Sequence, residues 1–173
     1  MQENINTTCH RLLKEYLNST MIAIDGTAGN GNDTLFLCQH CHHVYAFDIQ
    51  PQAKQNTLER CQKMINLTFI LDSHEFIDKY VNEPIDVALF NFGYLPKADS
   101  SIITQPASSL KAIQAAYALL KPTGRLMLAC YIGHAGGQEE HEQIYAWLMK
   151  NQITFTQYRT DKPLSPILYE CIK

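Results

Sequence analysis

A glycine-rich segment carries the first residues of this chain that could bind a ligand through their backbone. The segment reads AIDGTAGNGNDT from Ala23 to Thr34, and Gly26, Gly29 and Gly31 allow a sharp turn and a close backbone approach. It lies between a short apolar run and a helical pattern, whose N-terminus offers unpaired amide groups. The spacing is not a clean GxGxxG, because the residue three positions after Gly31 is Thr34.

Acidic and polar residues end the next two apolar runs. Asp48 lies about 20 residues beyond the glycines, where a carboxylate can accept bonds from two ribose hydroxyls. Gln50 could reach the same nucleoside, and Ser73 and His74 follow the third run, where an adenine edge would lie. Their alternatives are a helix cap for Ser73 and a surface position for His74. The combination favours an adenosine ligand without separating S-adenosylmethionine from a dinucleotide.

A third candidate segment follows the fourth apolar run. It reads NFGYLPKADSSIIT from Asn91 to Thr104, and it resembles the Asn-Pro-Pro-Tyr loop of amino-group methyltransferases. An Asn side-chain oxygen can accept N–H bonds and orient an amine, while an aromatic ring can hold a base. Asn91 and Tyr94 are the candidates, and a packed aromatic is the alternative for Tyr94.

Short apolar runs alternate with helical patterns along the chain, which predicts an α/β fold with a mostly parallel sheet. The last two runs follow each other without a helix and predict an antiparallel hairpin at the sheet edge. In such sheets ligands bind at the carboxyl ends of the strands, where the strand order reverses. The seven predicted strands are Met21–Asp25, Val44–Asp48, Leu67–Leu71, Ile85–Asn91, Arg125–Ile132, Ile153–Tyr158 and Ile167–Ile172.

The helical patterns predict which faces are buried. A first helix of about 12 residues belongs to an N-terminal extension, residues 1–20, of one domain spanning 1–173. Its predicted apolar face is Ile5, Cys9, Leu12, Leu13, Tyr16 and Leu17. The helix after Pro51 is predicted to bury Ala53, Thr57, Leu58, Cys61 and Ile65, and a later helix Leu110, Ile113, Tyr117 and Leu120.

Composition excludes several classes of protein. The 173 residues are 46% hydrophobic and 18% charged, which is globular and not disordered. No apolar run approaches the length of a membrane span and no signal peptide is visible, so a cytoplasmic location without membrane contact is expected. A net charge of -3 excludes a generally basic nucleic-acid coat, but not a local basic patch.

The six cysteines are expected to be free thiols, since no export signal is visible. The string CQHCH, from Cys38 to His42, matches a haem-attachment pattern, but such attachment requires export. Zinc binding by Cys38, Cys41 and His42 or His43 is the weaker alternative, because a second ligand pair is missing. No metal is therefore predicted.

Five blocks taken together resemble the MnmM methyltransferase family, whose members were catalogued as rRNA methylases. The blocks are AIDGTAGNGNDTLFL, YAFDIQPQA, LDSHE, LFNFGYLPKADSSIIT and YIGHAGGQEE, in this order from Ala23 to Glu140. The resemblance implies a class I, Rossmann-like, three-layer fold and S-adenosyl-L-methionine as cofactor. It implies N-methylation of the 5-aminomethyl group of wobble uridine, often 2-thiolated, in the anticodon stem-loop of tRNA.

Roles for individual residues follow from the resemblance and from the predicted layout. The cofactor-binding residues carried over are Asn30, Asn32, Asp33, Asp48, Gln50, Ser73 and His74, with Asp25 and Gly29 shaping the pocket. Asn91 would orient the amine, Tyr94 would pack on the uracil, and Lys97 and Tyr131 are further substrate contacts. The substrate ammonium must lose a proton before attack, and His134 or Asp33 is the candidate acceptor.

Other functions stay open at this point. A methyltransferase acting on rRNA or a small amine would use the same residues. An NAD-dependent oxidoreductase is the rival enzyme, and a catalytically inactive RNA- or adenosine-binding module is a third class. Lys97, Lys111, Arg159 and Lys162 are the candidate phosphate contacts. The low net basicity of the chain predicts either weak RNA binding by one chain or a composite surface across a homodimer.

Overall fold

The chain folds into a seven-stranded sheet covered by helices. The structure, a computed structural model, describes residues 4–93, 105–159 and 164–173. In these ranges the strands are β1 (Ile22–Asp25), β2 (His43–Asp48), β3 (Leu67–Leu71), β4 (Ile85–Phe92), β5 (Leu120–Cys130), β6 (Thr154–Arg159) and β7 (Ile167–Ile172). The helices are α1 (Ile5–Lys14), α2 (Asn32–His40), α3 (Pro51–Arg60), α4 (Ile77–Tyr80), α5 (Pro106–Leu119) and α6 (Gly137–Lys150), and the 3₁₀ turn His74–Phe76 precedes α4.

The strand order of the sheet is β3-β2-β1-β4-β5-β7-β6. Strands β1 to β5 pair in parallel, whereas β7 runs antiparallel to both β5 and β6. The predicted α/β class and the antiparallel hairpin at the edge are confirmed. The chain moves outward from β1 to β3 and then returns to place β4 on the other side of β1. The order therefore reverses between β1 and β4, where a ligand crevice is expected.

The central strands are buried on both faces. In β4, Val87 and Leu89 pack with α1 and α2 on one side, while Ala88 and Phe90 pack with α5 and α6 on the other. This alternation gives the near-continuous apolar run that is typical of a covered parallel strand. The result is the predicted three-layer arrangement.

Strand limits agree closely with the prediction except in β5. Strands β3 and β7 have the predicted limits, whereas β5 begins at Leu120 instead of Arg125. Leu120 pairs with Ile85 before a register shift, and Thr123 lies within the irregular stretch with a φ of 68°. The apolar pattern alone does not reveal a strand that begins before such an irregularity.

Two predicted helix faces are wrong in part. On the α3 side Ala53, Thr57 and Cys61 are buried, but Leu58 is 44% exposed and Ile65 is fully exposed. Ile65 lies beyond the end of α3, so helical spacing no longer applies to it.

The buried face of α5 is built from smaller residues than predicted. Ser109, Ala112 and Ala116 are buried together with Ile113, whereas Leu110 and Tyr117 are half-buried. Small side chains allow α5 to lie close to the sheet and to α6.

Helix α1 packs against α2 and against β5 and β7. Asn4 caps it by accepting a hydrogen bond from the Thr7 amide at 2.9 Å. Ile5, Cys9 and Leu13 form its buried face, which confirms the predicted amphipathic pattern. Leu12, Tyr16 and Leu17 are half-buried against the same core.

All six cysteines are buried and unpaired. Among the described residues, no group of three or more His, Cys, Asp or Glu side chains has an arrangement that could hold a metal ion. The described helices are also too short or too polar to cross a bilayer.

Candidate active site

A cavity of about 720 Å³ opens at the carboxyl ends of β1, β2 and β4. It lies at the reversal of strand order, as the fold predicts. The predicted site residues in its lining are Gly29, Asn30, Asn32, Asp33, Asp48, Gln50, Ser73, His74, Asn91 and Tyr131. The sequence did not single out Asn6, Thr27, Phe47, Ile49, Glu75, Gly93, Gln105, Ala107 and Ser108, which also line it.

Gly26 and Gly31, in the loop after β1, are each required by the structure for a different reason. Gly31 caps α2 with a φ of 77°, and a Cβ there would lie 2.8 Å from the Thr57 Cα atom. Gly26 has a different reason, since a Cβ would lie 2.0 Å from the Phe90 ring. The loop is thus set by positive φ at Gly31 and by close packing at Gly26.

Helix α3 binds this loop from outside the cavity. The Arg60 Nε donates to the Asn30 carbonyl at 2.7 Å, and Asn56 donates to the Asn30 side-chain oxygen at 2.8 Å. The Thr57 hydroxyl donates to the Gly29 carbonyl at 3.3 Å. These bonds leave the backbone amide of Gly29 directed towards Asp48.

Asp48 ends β2 with its carboxylate beside the cavity. One oxygen accepts the Gly29 amide at 3.0 Å and the other accepts the Gln50 amide at 2.9 Å. Burial raises the pKa of Asp48, and these backbone hydrogen bonds oppose the increase. Each carboxylate oxygen has a second lone pair, so Asp48 can accept further hydrogen bonds from a ligand. We call Gly29, Asn30, Asp48, Ile49, Gln50 and Ser73 the nucleoside side of the cavity.

Ser73 and His74 line the cavity next to the nucleoside side. The Ser73 hydroxyl accepts the Glu75 amide at 3.3 Å, so Ser73 caps the 3₁₀ turn. His74 is buried, and its Nδ1 lies 2.9 Å from the Gly26 carbonyl, to which a protonated Nδ1 would donate. Burial lowers the pKa of His74, which favours a neutral ring. The alternative of an exposed His74 is therefore wrong.

Asn91 ends β4 on the opposite side of the cavity. Its backbone amide donates to the Thr27 hydroxyl at 2.7 Å, which fixes the strand end against the loop after β1. Its side-chain Nδ2 donates to Asp33 Oδ2 at 2.6 Å. In this orientation the side-chain oxygen of Asn91 is the acceptor that a ligand can use. We call Asn6, Asp33, Asn91, Gly93 and Tyr131 the acceptor side.

Helix α1 supplies two residues that sequence reasoning missed: Asn6 belongs to the acceptor side, and His10 contacts its Asp33 from outside the described lining. The other oxygen of Asp33 lies 2.5 Å from His10 Nε2, and the His10 ring stacks on Phe36 with centroids 4.0 Å apart. Asn6 accepts a hydrogen bond from the Tyr131 hydroxyl at 3.0 Å. Both contacts join residues that are far apart in sequence, so the helical pattern of α1 did not reveal them.

Asp25 lies beneath the cavity rather than in its lining. Its carboxylate accepts the Thr34 hydroxyl at 2.6 Å and the Thr27 amide at 3.1 Å, and the side chain is fully buried. Burial, reinforced by the negative charge of Asp33, raises the pKa of Asp25 to about 7. Asp25 therefore supports the loop after β1 from below, because its oxygens accept bonds from Thr27 and Thr34, and its role in cofactor binding stays a prediction.

His134 also lies outside the described lining. Its Nδ1 is 2.9 Å from the Ala135 carbonyl, and a Cβ added to Gly93 would lie 3.6 Å from its Nε2. His134 therefore lies close to Gly93, which does line the cavity. The described hydrogen bonds of Asn91 and Asp33 that involve side chains join these two residues to each other and to Thr27 and His10, and none of them involves His134. Tyr94 and Lys97 lie outside the described residues.

Solved structures define the class of this fold. A Streptococcus mutans protein, described as a putative methyltransferase in complex with S-adenosylhomocysteine, is 38% identical with a TM-score of 0.91. That comparison covers 100% of this chain and 99% of the other. An rRNA methylase from Streptococcus thermophilus is 32% identical over 100% of this chain and 98% of its own, with a TM-score of 0.84. The fold and its crevice define a class I, S-adenosylmethionine-dependent methyltransferase.

Most of the chain also matches a known protein family. Residues 44–163 match the model of the family described as "Putative rRNA methylase". The chain belongs to this family. The result confirms the resemblance seen in the sequence and rejects the oxidoreductase alternative.

A curated relative carries a more specific description. The chloroplastic tRNA (mnm(5)s(2)U34)-methyltransferase of Arabidopsis thaliana is 33% identical over 92% of this chain. This chain spans 65% of that relative's length.

Proposed function

We propose that this protein methylates the amine of 5-aminomethyluridine, with or without 2-thiolation, at the wobble position of tRNA. The product is 5-methylaminomethyluridine, and the methyl donor is S-adenosyl-L-methionine. The observation that carries the proposal is the orientation of Asn91, whose amide nitrogen donates to Asp33 and whose oxygen is left to accept an N–H bond. The description of the Arabidopsis relative supports the choice of this amine.

The nucleoside side fits the cofactor. The Asp48 carboxylate keeps lone pairs that can accept the two ribose hydroxyls, although both oxygens already bind backbone amides. Ile49 is 55% exposed in the lining, which gives an apolar surface suited to an adenine face. The cofactor supplies an electrophilic methyl group when it is bound. We infer that Asn30, Asn32 and Ser73 provide the remaining polar contacts.

The acceptor side fits an amine. A primary alkyl amine is protonated at neutral pH, and its cationic form is attracted by the Asp33 carboxylate. Once a proton has left, the Asn91 oxygen can accept a remaining N–H bond and orient the nitrogen lone pair. Orientation of this kind accounts for a large part of the rate in a direct displacement.

Asp33 is the better placed of the two candidate proton acceptors. Asp33 lines the cavity and accepts the side-chain N–H bond of Asn91, whereas His134 is not among the described residues of the lining. A proton acceptor must lie within hydrogen-bond reach of the group that it deprotonates, directly or through one water. We therefore assign the first proton transfer to Asp33.

Binding of an anticodon loop would use the rim of the cavity. Lys111 lines it and forms an ion pair with Glu75 at 3.1 Å, so a phosphate would compete with that carboxylate. Tyr131 is the candidate aromatic contact, while Arg159 is exposed at the end of β6. A cytoplasmic location and a composite homodimer surface remain predictions of the sequence.

The test uses anticodon stem-loops with a defined wobble nucleoside. Purified protein is incubated with labelled S-adenosylmethionine and stem-loops that carry 5-aminomethyl-2-thiouridine, 5-aminomethyluridine or unmodified uridine. Nucleoside mass spectrometry then locates the label. We expect label in the methylamino group of the first two and none in the third.

Total tRNA and rRNA from cells that lack this gene provide the matched comparison. Label that appears in rRNA alone, or in a small amine, would reject tRNA as the substrate while leaving the cofactor in place. Retention of S-adenosylhomocysteine binding, measured by calorimetry on the same protein, excludes misfolding as the cause of a negative result.

A further inference from the structure

Helix α1 brings an imidazole to the carboxylate of the acceptor side. His10 Nε2 lies 2.5 Å from Asp33 Oδ1, and Asp33 Oδ2 accepts the Asn91 amide at 2.6 Å. The three side chains come from α1, α2 and β4, and they form one continuous set of hydrogen bonds. The Phe36 ring covers one face of the His10 imidazole, and the two ring planes lie 5° from parallel.

The exposure of the pair suits a proton pathway. The Asp33 side chain is 13% exposed and faces the cavity, while the His10 side chain is 26% exposed. A proton received by Asp33 can thus reach solvent through the imidazole without crossing the cavity. A carboxylate alone is a weak base for an alkyl ammonium, and an adjacent imidazole improves the match.

Other charged and titratable groups lie on the elements near α1. Asp25 lies on β1 and Glu170 on β7, and both act electrostatically on Cys9, the neighbour of His10 on α1. Tyr131 follows β5 and donates to Asn6, and the His40 ring on α2 packs against the Phe36 ring with centroids 4.6 Å apart. Asp33 is the carboxylate that contacts His10 directly.

We propose that His10 and Asp33 together accept the proton that the substrate ammonium must lose. This inference rests on the proposed function, since it assigns the base for that amine. One N–H bond of the ammonium breaks, its electron pair stays on nitrogen, and the proton passes through Asp33 to His10 Nε2. The imidazolium is then paired with the Asp33 carboxylate and releases its proton to solvent. Helix α1 is therefore part of the active site.

The rate test compares His10→Gln with the wild-type protein in single turnovers from pH 6 to 9. We expect a loss of about 10²-fold at pH 7, a typical contribution for general base catalysis. In the variant only amine that is already neutral reacts, so the rate rises about tenfold per pH unit where the wild-type rate has levelled off. Added imidazole should restore part of the rate in His10→Gly.

The matched control is His40→Gln. His40 touches Phe36 as His10 does, but its Nδ1 contacts the Phe36 carbonyl at 2.7 Å and not Asp33. We expect wild-type rates and pH dependence from this variant. Equal losses by His10→Gln at every pH, without rescue by imidazole, would show a structural role and overturn the proposal.

A second measurement does not depend on activity. In ¹⁵N NMR spectra the His10 Nε2 resonance should move in Asp33→Asn and stay in place in Asp78→Asn, whose exposed side chain lies on α4. An unmoved resonance in Asp33→Asn would reject the pair. If wild-type protein fails on aminomethyluridine stem-loops, the proposed substrate is wrong, and the NMR result still decides whether the pair exists.

Discussion

The two sides of the cavity are built in different ways. On the nucleoside side the Asp48 carboxylate is held by two backbone amides, and α3 binds the neighbouring loop through Arg60 and Asn56. The acceptor side consists of side chains from α1, α2 and β4 that contact one another. The nucleoside side is thus held by α3 from outside the cavity, whereas the side chains of the acceptor side are held by contacts with one another. Substitutions should therefore separate cofactor binding from methyl transfer.

The largest effect is expected for Asn91→Leu. Leucine has a similar size but removes both the oxygen that orients the amine and the bond to Asp33. We expect the single-turnover rate to fall by roughly 10²–10³-fold, as when one oriented polar group is removed from an active site. Binding of S-adenosylhomocysteine should stay within about twofold. Gln114→Ala, at an exposed position of α5, serves as the control.

A strong loss of cofactor binding in Asn91→Leu would contradict the separation of the two sides. It would show that the hydrogen bond from the backbone N–H of residue 91 to the Thr27 hydroxyl depends on the side chain of Asn91.

The converse variant is Asp48→Asn, which changes the nucleoside side alone. An NH₂ group replaces one carboxylate oxygen and faces the backbone N–H of Gly29 or Gln50. The variant therefore loses one hydrogen bond from the backbone and one acceptor for a ribose hydroxyl. We expect S-adenosylhomocysteine to bind about 10- to 100-fold more weakly by calorimetry, the cost of hydrogen bonds to a charged group. At saturating cofactor the methylation rate should recover.

Asp72→Asn is the matched control for this variant. Asp72 also follows a strand of the sheet, but it accepts the Tyr80 hydroxyl and does not line the cavity. Equal weakening by both variants would indicate a general charge effect and not a contact made by Asp48.

A smaller effect is expected for Gly31→Ala, which tests the loop that both sides share. The positive φ of 77° costs an alanine roughly 1–2 kcal/mol, and its Cβ meets the Thr57 backbone. The free energy of unfolding in urea should fall by at least that amount. Gly133→Ala, where a Cβ would be in ordinary contact at 3.6 Å, should leave it nearly unchanged.

A separate test concerns the pH dependence of stability at Asp25, the buried carboxylate beneath the cavity. Because the pKa of Asp25 rises from 3.8 to about 7 in the folded protein, folding retains a proton that the unfolded chain releases. The stability associated with this proton is present below pH 3.8 and is lost as the pH rises to about 7. The advantage of Asp25→Asn over wild type should therefore grow from pH 5 to pH 8 in urea unfolding. A constant difference would reject the raised pKa.

The nucleoside side could be predicted from sequence because its signal is local. The glycines, Asp48 and Gln50 follow consecutive strands, and the parallel sheet places the ends of those strands together. Asn91 was found for the same reason. Strand-end positions depend only on where the apolar runs stop, which the pattern gives within a residue or two.

The acceptor side could be predicted only in part. Asp33 and Tyr131 were identified, but His10 and Asn6 lie on a helix whose apolar face explains its pattern completely. Their contacts join residues 23 and 125 positions apart, and the rotation of α1 on the sheet decides whether they form. Such a rotation depends on side-chain packing against β5 and β7, which periodicity does not encode.

Trp147, the single tryptophan of the chain, lies on α6 and packs edge-on against Tyr117 of α5. Its fluorescence thus reports the packing of α5 against α6. It does not report the packing of α1, which lies on the other face of the sheet. Methyl transfer, in contrast, requires α1 to be docked so that His10 meets Asp33. In a refolding experiment, Trp147 fluorescence therefore reports the formation of one outer layer, and methyl-transfer activity reports the formation of the other. A delay of activity behind fluorescence would measure the time that α1 needs to dock on a sheet that has already formed.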